Sequence, residues 1–315
     1  MPTASALARD TRRPGRTLRP AAASTLAPAW LHGRPGPAQV VAVFDVAVYL
    51  RRAQDVLPVL APGALALPGG LRVAARADLD ALGLSVGDEV TVGEGQVLAP
   101  GAGLAVRRTW RPQPVPSAEL PPSARATALS ALAGLTHVGD DLAPGLAALA
   151  GRVLARRVVT RRVLGTRPPD PVGGPVGGPV EDLVGLGPGL TPAGDDVLCG
   201  LLLGLRATGR ERERAALERA VAPLLGRTTA LSATLLRQAA GGYAVPALVE
   251  LVRAWHRGAD ETQLAALGVP VAAVGHTSGP ALLLGLATVL APPHTPLPTR
   301  EPAVAPTAGP TRGTS

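Results

Sequence analysis

The residues best suited to chemistry lie in one twelve-residue stretch, Gly185-Leu186-Gly187-Pro188-Gly189-Leu190-Thr191-Pro192-Ala193-Gly194-Asp195-Asp196. Glycines at alternate positions, Gly185, Gly187 and Gly189, open backbone angles closed to other residues and let a ligand approach the main chain. Thr191 followed by Pro192 is the pattern of an N-cap and first helical turn. Backbone N–H groups freed at such an end, together with the helix dipole, favour an anion. The following run, Val197 to Leu205, is apolar nearly all round, as a buried helix would be. Asp195 and Asp196 then fall in its first turn, where the dipole is expected to keep both ionised. Ionised carboxylates make poor general acids. They make good acceptors for N–H donors and good ligands for a hard cation, so Mg²⁺ at Asp195 and Asp196 is a possible addition to a site that otherwise requires no cofactor. A plain capped helix with two acidic residues is the competing reading. The coincidence of Gly-rich turn, Thr-Pro and paired Asp favours a site.

Three further groups are weaker. Gly275-His276-Thr277-Ser278-Gly279-Pro280 opens another apolar helix, with His276 as a candidate acid/base and Ser278 as a cap or anion donor. Gly226-Arg227-Thr228-Thr229, with Ser232, offers a guanidinium and hydroxyls at a helix start, which suits phosphate or carboxylate. His137 with Asp140 and Asp141 could bind a metal or move a proton, although Pro144 points to a loop. Cys199 reads as a small packing residue. The expected catalytic set is therefore Asp195, Asp196 and His276. The expected anion-binding set is Gly185, Gly187, Gly189, Thr191, Gly194, Arg227, Thr228, Thr229 and Ser278.

These residues need a scaffold, and the pattern along the chain is α+β: a small N-terminal β-rich module, then a larger, mainly helical domain. Residues 1–36 alternate Ala, Pro, Arg and Thr without a period and read as a disordered tail or an over-long gene start. Residues 37–116 form the β-rich module, with short apolar runs at Gln39–Leu50, Leu71–Ala75, Glu89–Val92 and Leu104–Trp110 between Gly and Pro turns. Residues 117–291 carry helical spacing in seven runs, from Ala124–Leu135 to Ala281–Leu290, interrupted by a Val-Gly-Gly-Pro loop near 171–180. Residues 292–315 are Pro/Thr-rich and shapeless. An internal echo, Gly194-Asp195-Asp196 with Gly200-Leu201 against Gly139-Asp140-Asp141 with Gly145-Leu146, recurs in part at Gly279 and Gly285-Leu286. Small residues recurring where helices pack closely account for it.

Composition narrows the chemistry. The chain has no lysine, isoleucine or asparagine and one phenylalanine, Phe44, as a GC-rich genome would produce. Without lysine there is no Schiff base, no pyridoxal phosphate anchor and no Walker lysine. This weakens a stand-alone Mg²⁺-dependent phosphoryl enzyme. The net charge of +8 and the pI near 11.2 come from scattered arginine, and two tyrosines with three tryptophans leave little for base stacking, so no nucleic acid partner is expected. A lone cysteine forms no intrachain disulfide, and no apolar run reaches the ~20 residues of a membrane span. With no apolar stretch of a secretion signal, the expected location is cytoplasmic.

The stretch GLGPGLTPAGDD resembles the G-x-G-x-G-L-T-P-[SA]-G-D-D signature of the family that contains the AllH-type subunit of oxamate carbamoyltransferase. Thr228-Thr229 with Ser232, Gly275 to Gly279, Phe44-Asp45-Val46 and Trp110-Arg111-Pro112 resemble further family blocks, over about Val40 to Leu290. The long tails and the Gly-Gly-Pro insertion depart from the pattern. The resemblance implies a subunit of an enzyme that moves a carbamoyl group between a small amide or ureide (oxamate or oxalurate) and phosphate in ureide breakdown. It implies a hetero-oligomer with a succinyl-CoA-synthetase-like subunit and a further subunit. A small anionic amide and phosphate or carbamoyl phosphate would be its ligands. The Ser-x-Arg-Thr motif of ordinary carbamoyltransferases is absent, so the site would be an independent solution. A non-catalytic scaffold or metabolite-binding regulatory subunit is the alternative.

Overall fold

Alternation of small and β-branched residues does produce strands at 36–60, in the form of two hairpins. In the computed structural model, which describes residues 17–139, 143–162 and 178–292, the run expected at Gln39–Leu50 is broken by a turn at Asp45-Val46. It becomes β2 (Gly36–Phe44) and β3 (Ala47–Arg52), paired antiparallel, and β3 pairs in turn with β4 (Asp55–Leu60). With β1 (Leu18–Ser24), β5 (Leu71–Val73), β6 (Glu89–Gly93), β7 (Gln96–Leu98) and β8 (Gly103–Trp110) they close into a barrel. Its strand order is β1-β5-β4-β3-β2-β6-β7-β8, closed by parallel pairing of β1 with β8. A short helix, α1 (Arg76–Asp80), lies between β5 and β6.

Closure corrects the reading of residues 1–36 as a tail. Residues 17–36 belong to the barrel, whereas 1–16 lie outside the described residues. The sequence of β1, LRPAAAS, is poor in strand formers. Its extended form comes from its two neighbours, β5 antiparallel and β8 parallel, while Ala21 and Ala23 turn inward and are buried. The α+β class therefore stands in a more specific form, with a closed eight-stranded barrel as its β part.

The helical part comprises α2 (Pro122–Leu132), α3 (Ala143–Arg162), α4 (Pro179–Leu183), α5 (Ala193–Ala207), α6 (Glu211–Val221), α7 (Ala230–Ala240), α8 (Pro246–His256), α9 (Glu261–Ala272) and α10 (Ser278–Leu290). The pattern at Glu211–Leu225 overruns: α6 stops at Val221 and a 3-10 turn, Ala222–Arg227, leads to α7. Helix α9 has no counterpart among the expected runs, and Pro270 lies inside it. Most of the Gly-Gly-Pro loop, and the tail from 293 onward, fall outside the described residues.

At the centre α5 crosses α10 almost backbone to backbone. A methyl group at Gly200 would stand 2.1 Å from the Leu282 carbonyl, and one at Gly285 2.2 Å from the Val197 carbonyl. Gly200 and Gly285 of the glycine echo thus mark a helix contact, as close packing requires, whereas a side chain at Gly139 or Gly145 would meet nothing within 4 Å among the described residues. The barrel joins this layer through β4 and α7. Val56 N–H donates to the Thr234 hydroxyl at 3.1 Å, and Arg237 pairs with Asp55 at 2.5 Å. Ala47, Leu60 and Leu67 of the barrel side extend the helical core.

Candidate functional site

Gly185, Gly187 and Gly189 take φ of 76°, 111° and 92°, the left-handed region that the sequence reserves for glycine here. At Gly185 a side chain would also meet the Arg227 carbonyl at 2.9 Å. The turn therefore folds tightly onto the start of α7, and Asp195 holds it there. Asp195 Oδ1 accepts from Gly185 N–H at 3.0 Å, and Oδ2 accepts from the Thr228 hydroxyl. The Thr229 hydroxyl donates to the Leu190 carbonyl at 2.6 Å and caps α7 by accepting from Ser232 N–H at 3.1 Å. The Ser232 hydroxyl, also buried, is near enough to Asp195 to favour its charged form but makes no hydrogen bond of ordinary geometry. Burial pushes the Asp195 carboxyl above the usual range, and its Thr228 and Gly185 donors push it back.

Part of the expected anion cradle is thus occupied by the chain's own carboxylate. Gly185 N–H is committed to Asp195, and Gly194 N–H donates to the Leu186 carbonyl at 2.9 Å. The N–H groups of Gly187 and Gly189 have no partner among the described residues.

Thr191 does not cap α5. The helix begins at Ala193 with Pro192 as its N-cap, and the Thr191 and Ser278 hydroxyls instead bond each other at 2.8 Å. Ser278 opens α10, so this contact ties the Gly-rich turn to the second buried helix.

Asp196 is one residue from Asp195, but about 100° round the helix it meets different neighbours. It is 7% exposed and its Oδ2 has no hydrogen-bond partner. It lines a cavity of about 250 Å³ between barrel and helices. Phe44 and Tyr49 of the β2–β3 hairpin and Leu65 form one wall, with the two rings edge to face at 5.4 Å between centroids. Leu190 and Thr191 come from the Gly-rich turn, and Leu203 and Gln238 from the helices. Among the described residues no arginine or histidine lines the space. Phe44, Leu65 and Leu190 are the exposed apolar groups at this place.

This environment overturns the expectation that Asp196 is held ionised. Burial pushes its carboxyl up to about 8; the nearby Ser278 hydroxyl favours the charged form and the Asp195 charge disfavours it. A first-turn position contributes only about 0.3–1 kcal/mol to the charged form, so desolvation wins. At neutral pH Asp196 is mostly protonated and can give a proton. Burial, with these two acids, also raises the Cys199 thiol well above its usual range.

Both Asp195 oxygens are engaged by Gly185 and Thr228, and among the described residues no group of three or more His, Cys, Asp or Glu stands together as metal ligands would.

Of the residues singled out in the sequence, Asp195, Gly185, Gly194, Thr228 and Thr229 form the tied turn. Asp196, Thr191 and Ser278 reach the cavity. His276 and Arg227 are exposed and line no part of it. His137 is exposed, and Asp140 and Asp141 lie outside the described residues. The sequence reading missed Tyr49 and Gln238, and Phe44 as a wall. Gln238 is legible as a lone amide in the apolar run of α7, and Phe44 as a single aromatic at a hairpin tip.

The family model described as oxamate carbamoyltransferase subunit AllH matches residues 183–290, the segment from the end of α4 through α10. The family resemblance is shown for this segment, which is similar to the AllH family; α2 and α3 lie outside the match. The barrel that walls the cavity lies outside the match. No curated protein matches the chain, and no solved structure does. No helix among the described residues is long and apolar enough to cross a membrane.

Proposed function

We propose that the chain is the AllH-type subunit of an oxamate carbamoyltransferase-like enzyme, and that Asp196 acts on the carbamoyl group within the cavity. The carrying observation is the buried Asp196 carboxyl, its Oδ2 without a partner, facing a cavity beside a Gly-rich turn in the matched segment. In phosphorolysis of oxalurate a phosphate oxygen bonds to the carbamoyl carbon, the C–N bond to oxamate breaks, and the departing nitrogen takes a proton. Asp196 supplies that proton, and in the reverse direction accepts it. The free N–H groups of Gly187 and Gly189 take the anionic end outside the cavity. Orientation and electrostatics carry the rest, without a covalent intermediate and with no cofactor required. The cavity lining offers no cation, so positive charge for the phosphate comes from outside the cavity, from Arg227 and from partner subunits, a succinyl-CoA-synthetase-like one among them.

The test is reconstitution with the candidate partners and an assay of carbamoyl phosphate formed from oxalurate and phosphate. General acid catalysis contributes about 10²–10⁴-fold, so Asp196→Asn should lower kcat by that order while the complex still assembles. Full turnover in that variant, or none in the wild-type complex, removes the reading. The apolar lining favours a second reading, a metabolite-binding regulatory subunit. In that case the Asn variant keeps turnover and loses only its response to a cavity ligand.

A further inference from the structure

The cavity is more selective than a carbamoyl site needs to be. Its walls are aliphatic and aromatic, with Phe44, Tyr49, Leu65, Leu203 and Leu235 among them. Its volume of about 250 Å³ would hold roughly ten non-hydrogen atoms, since an apolar cavity of about 150 Å³ holds a benzene. The titratable groups around Asp196 are Asp195 and Cys199 on its own helix, Tyr49 from β3, and Tyr243 beyond α7. None is cationic. Gln238 and Ser278 add polarity without charge.

A carboxylate more than nine-tenths buried, with an unpartnered oxygen and no cation beside it, would be an uncompensated charge. The protonated carboxyl is different: it presents an O–H donor next to a C=O acceptor. A primary amide or urea presents the complementary pair, a C=O acceptor next to an N–H donor. We propose that the cavity is a binding site for an uncharged primary amide or urea on an apolar body, held by cyclic pairing of its head group with the Asp196 carboxyl. A charge on the part of the ligand inside the cavity is disfavoured by the lining, which has no cation to meet it. The inference rests on the cavity as a ligand site and not on carbamoyl transfer, so the full-length chain alone should show it.

The probes are benzamide, benzoate and benzylamine, alike in shape and different in charge, titrated into the chain by calorimetry or ligand-observed NMR. At about pH 6.5 benzamide should bind about tenfold tighter than either ion. Its affinity should fall roughly tenfold by about pH 9, as the carboxyl ionises. Asp196→Asn keeps a donor beside an acceptor, so it should hold benzamide within about threefold and abolish the pH dependence; Asp196→Leu should lose it. Preference for benzylamine, loss of benzamide binding in the Asn variant, or no binding of any probe at about 10 mM overturns the proposal. Benzamide binding by the chain with no turnover in the complex removes the transferase reading alone. Turnover without benzamide binding removes this one alone.

Discussion

Two regions built on one helical turn treat a carboxyl in opposite ways. On the Gly-rich turn, Asp195 meets donors from Gly185 and Thr228 and becomes a tie between loop and helix. On the cavity side, Asp196 meets side chains from the barrel and from α10 that leave its Oδ2 without a partner. The first arrangement satisfies a buried group and adds stability. The second leaves a buried group unsatisfied, which costs stability and is the kind of arrangement kept where a ligand completes it.

The largest effect should come from the residue beneath both regions. A side chain at Gly194 would stand 2.0 Å from the Leu183 carbonyl, a backbone atom that cannot swing away. Gly194→Val should therefore displace the turn and the start of α5 together, at more than about 4 kcal/mol. Chemical denaturation should show no stable folded state, or one with a greatly lowered midpoint. A variant melting like the wild type would mean that the two regions do not share this foundation.

Next is the cost of Asp196 itself. Its carboxyl titrates near 3.8 when unfolded and about 8 when folded. Between those values the folded chain holds a proton that the unfolded chain has released, so stability falls as pH rises and levels off above pH 8. The difference amounts to about 6 kcal/mol at most. Asp196→Asn lacks this loss. Its stability relative to the wild type should rise by that order between about pH 4 and pH 8, measured as unfolding free energy in a pH series. A flat difference would show that Asp196 is not held neutral. The same substitution is expected to lower turnover, so activity and stability move in opposite directions.

Asp195→Ala should move both downward. It strands a half-buried N–H and a half-buried hydroxyl, at about 3 kcal/mol at most, with no dependence on the cavity ligand. If benzamide affinity collapsed while the melting midpoint held, the division between tie and ligand group would be drawn in the wrong place.

How much of this the sequence shows depends on how local the cause is. The left-handed glycines and the all-buried helix α5 are legible because backbone strain and apolar patterning are properties of a few neighbouring residues. Strand β1 is not, because its partners are β5 and β8, and its Pro-Ala-Ala-Ala core lacks any period. Helix α9 hides behind Pro270 and its weakly patterned Leu-Gly-Val-Pro-Val stretch. The cavity that Asp196 lines is walled by Tyr49 and Phe44, nearly half the chain away. Thr191 shows the same limit: its position before Pro192 spells a cap, while Ser278, 87 residues on, takes its hydroxyl.

The smallest effect concerns the outer side of the turn. Arg227 is exposed, makes no ion pair among the described residues, and follows the turn's contact at Gly185 through its own carbonyl. Arg227→Gln should leave the melting midpoint unchanged, since surface substitutions of this kind stay within about 0.5 kcal/mol. If the anionic end of the substrate lies at Gly187 and Gly189, the Arg227 guanidinium is expected to attract it through solvent, since the Arg227 backbone packs against the turn at Gly185. An exposed pair of that kind contributes about 0.2–1 kcal/mol, which is roughly a 1.4-fold to fivefold rise in the KM for phosphate on its removal, with kcat unaltered. Salt should erase the difference, because a solvent-exposed attraction is screened within about 10 Å at 0.1 M. A KM that ignores both the substitution and the salt would move anion recognition off this chain and onto its partners. The cavity would then be this subunit's whole contribution to the ligand.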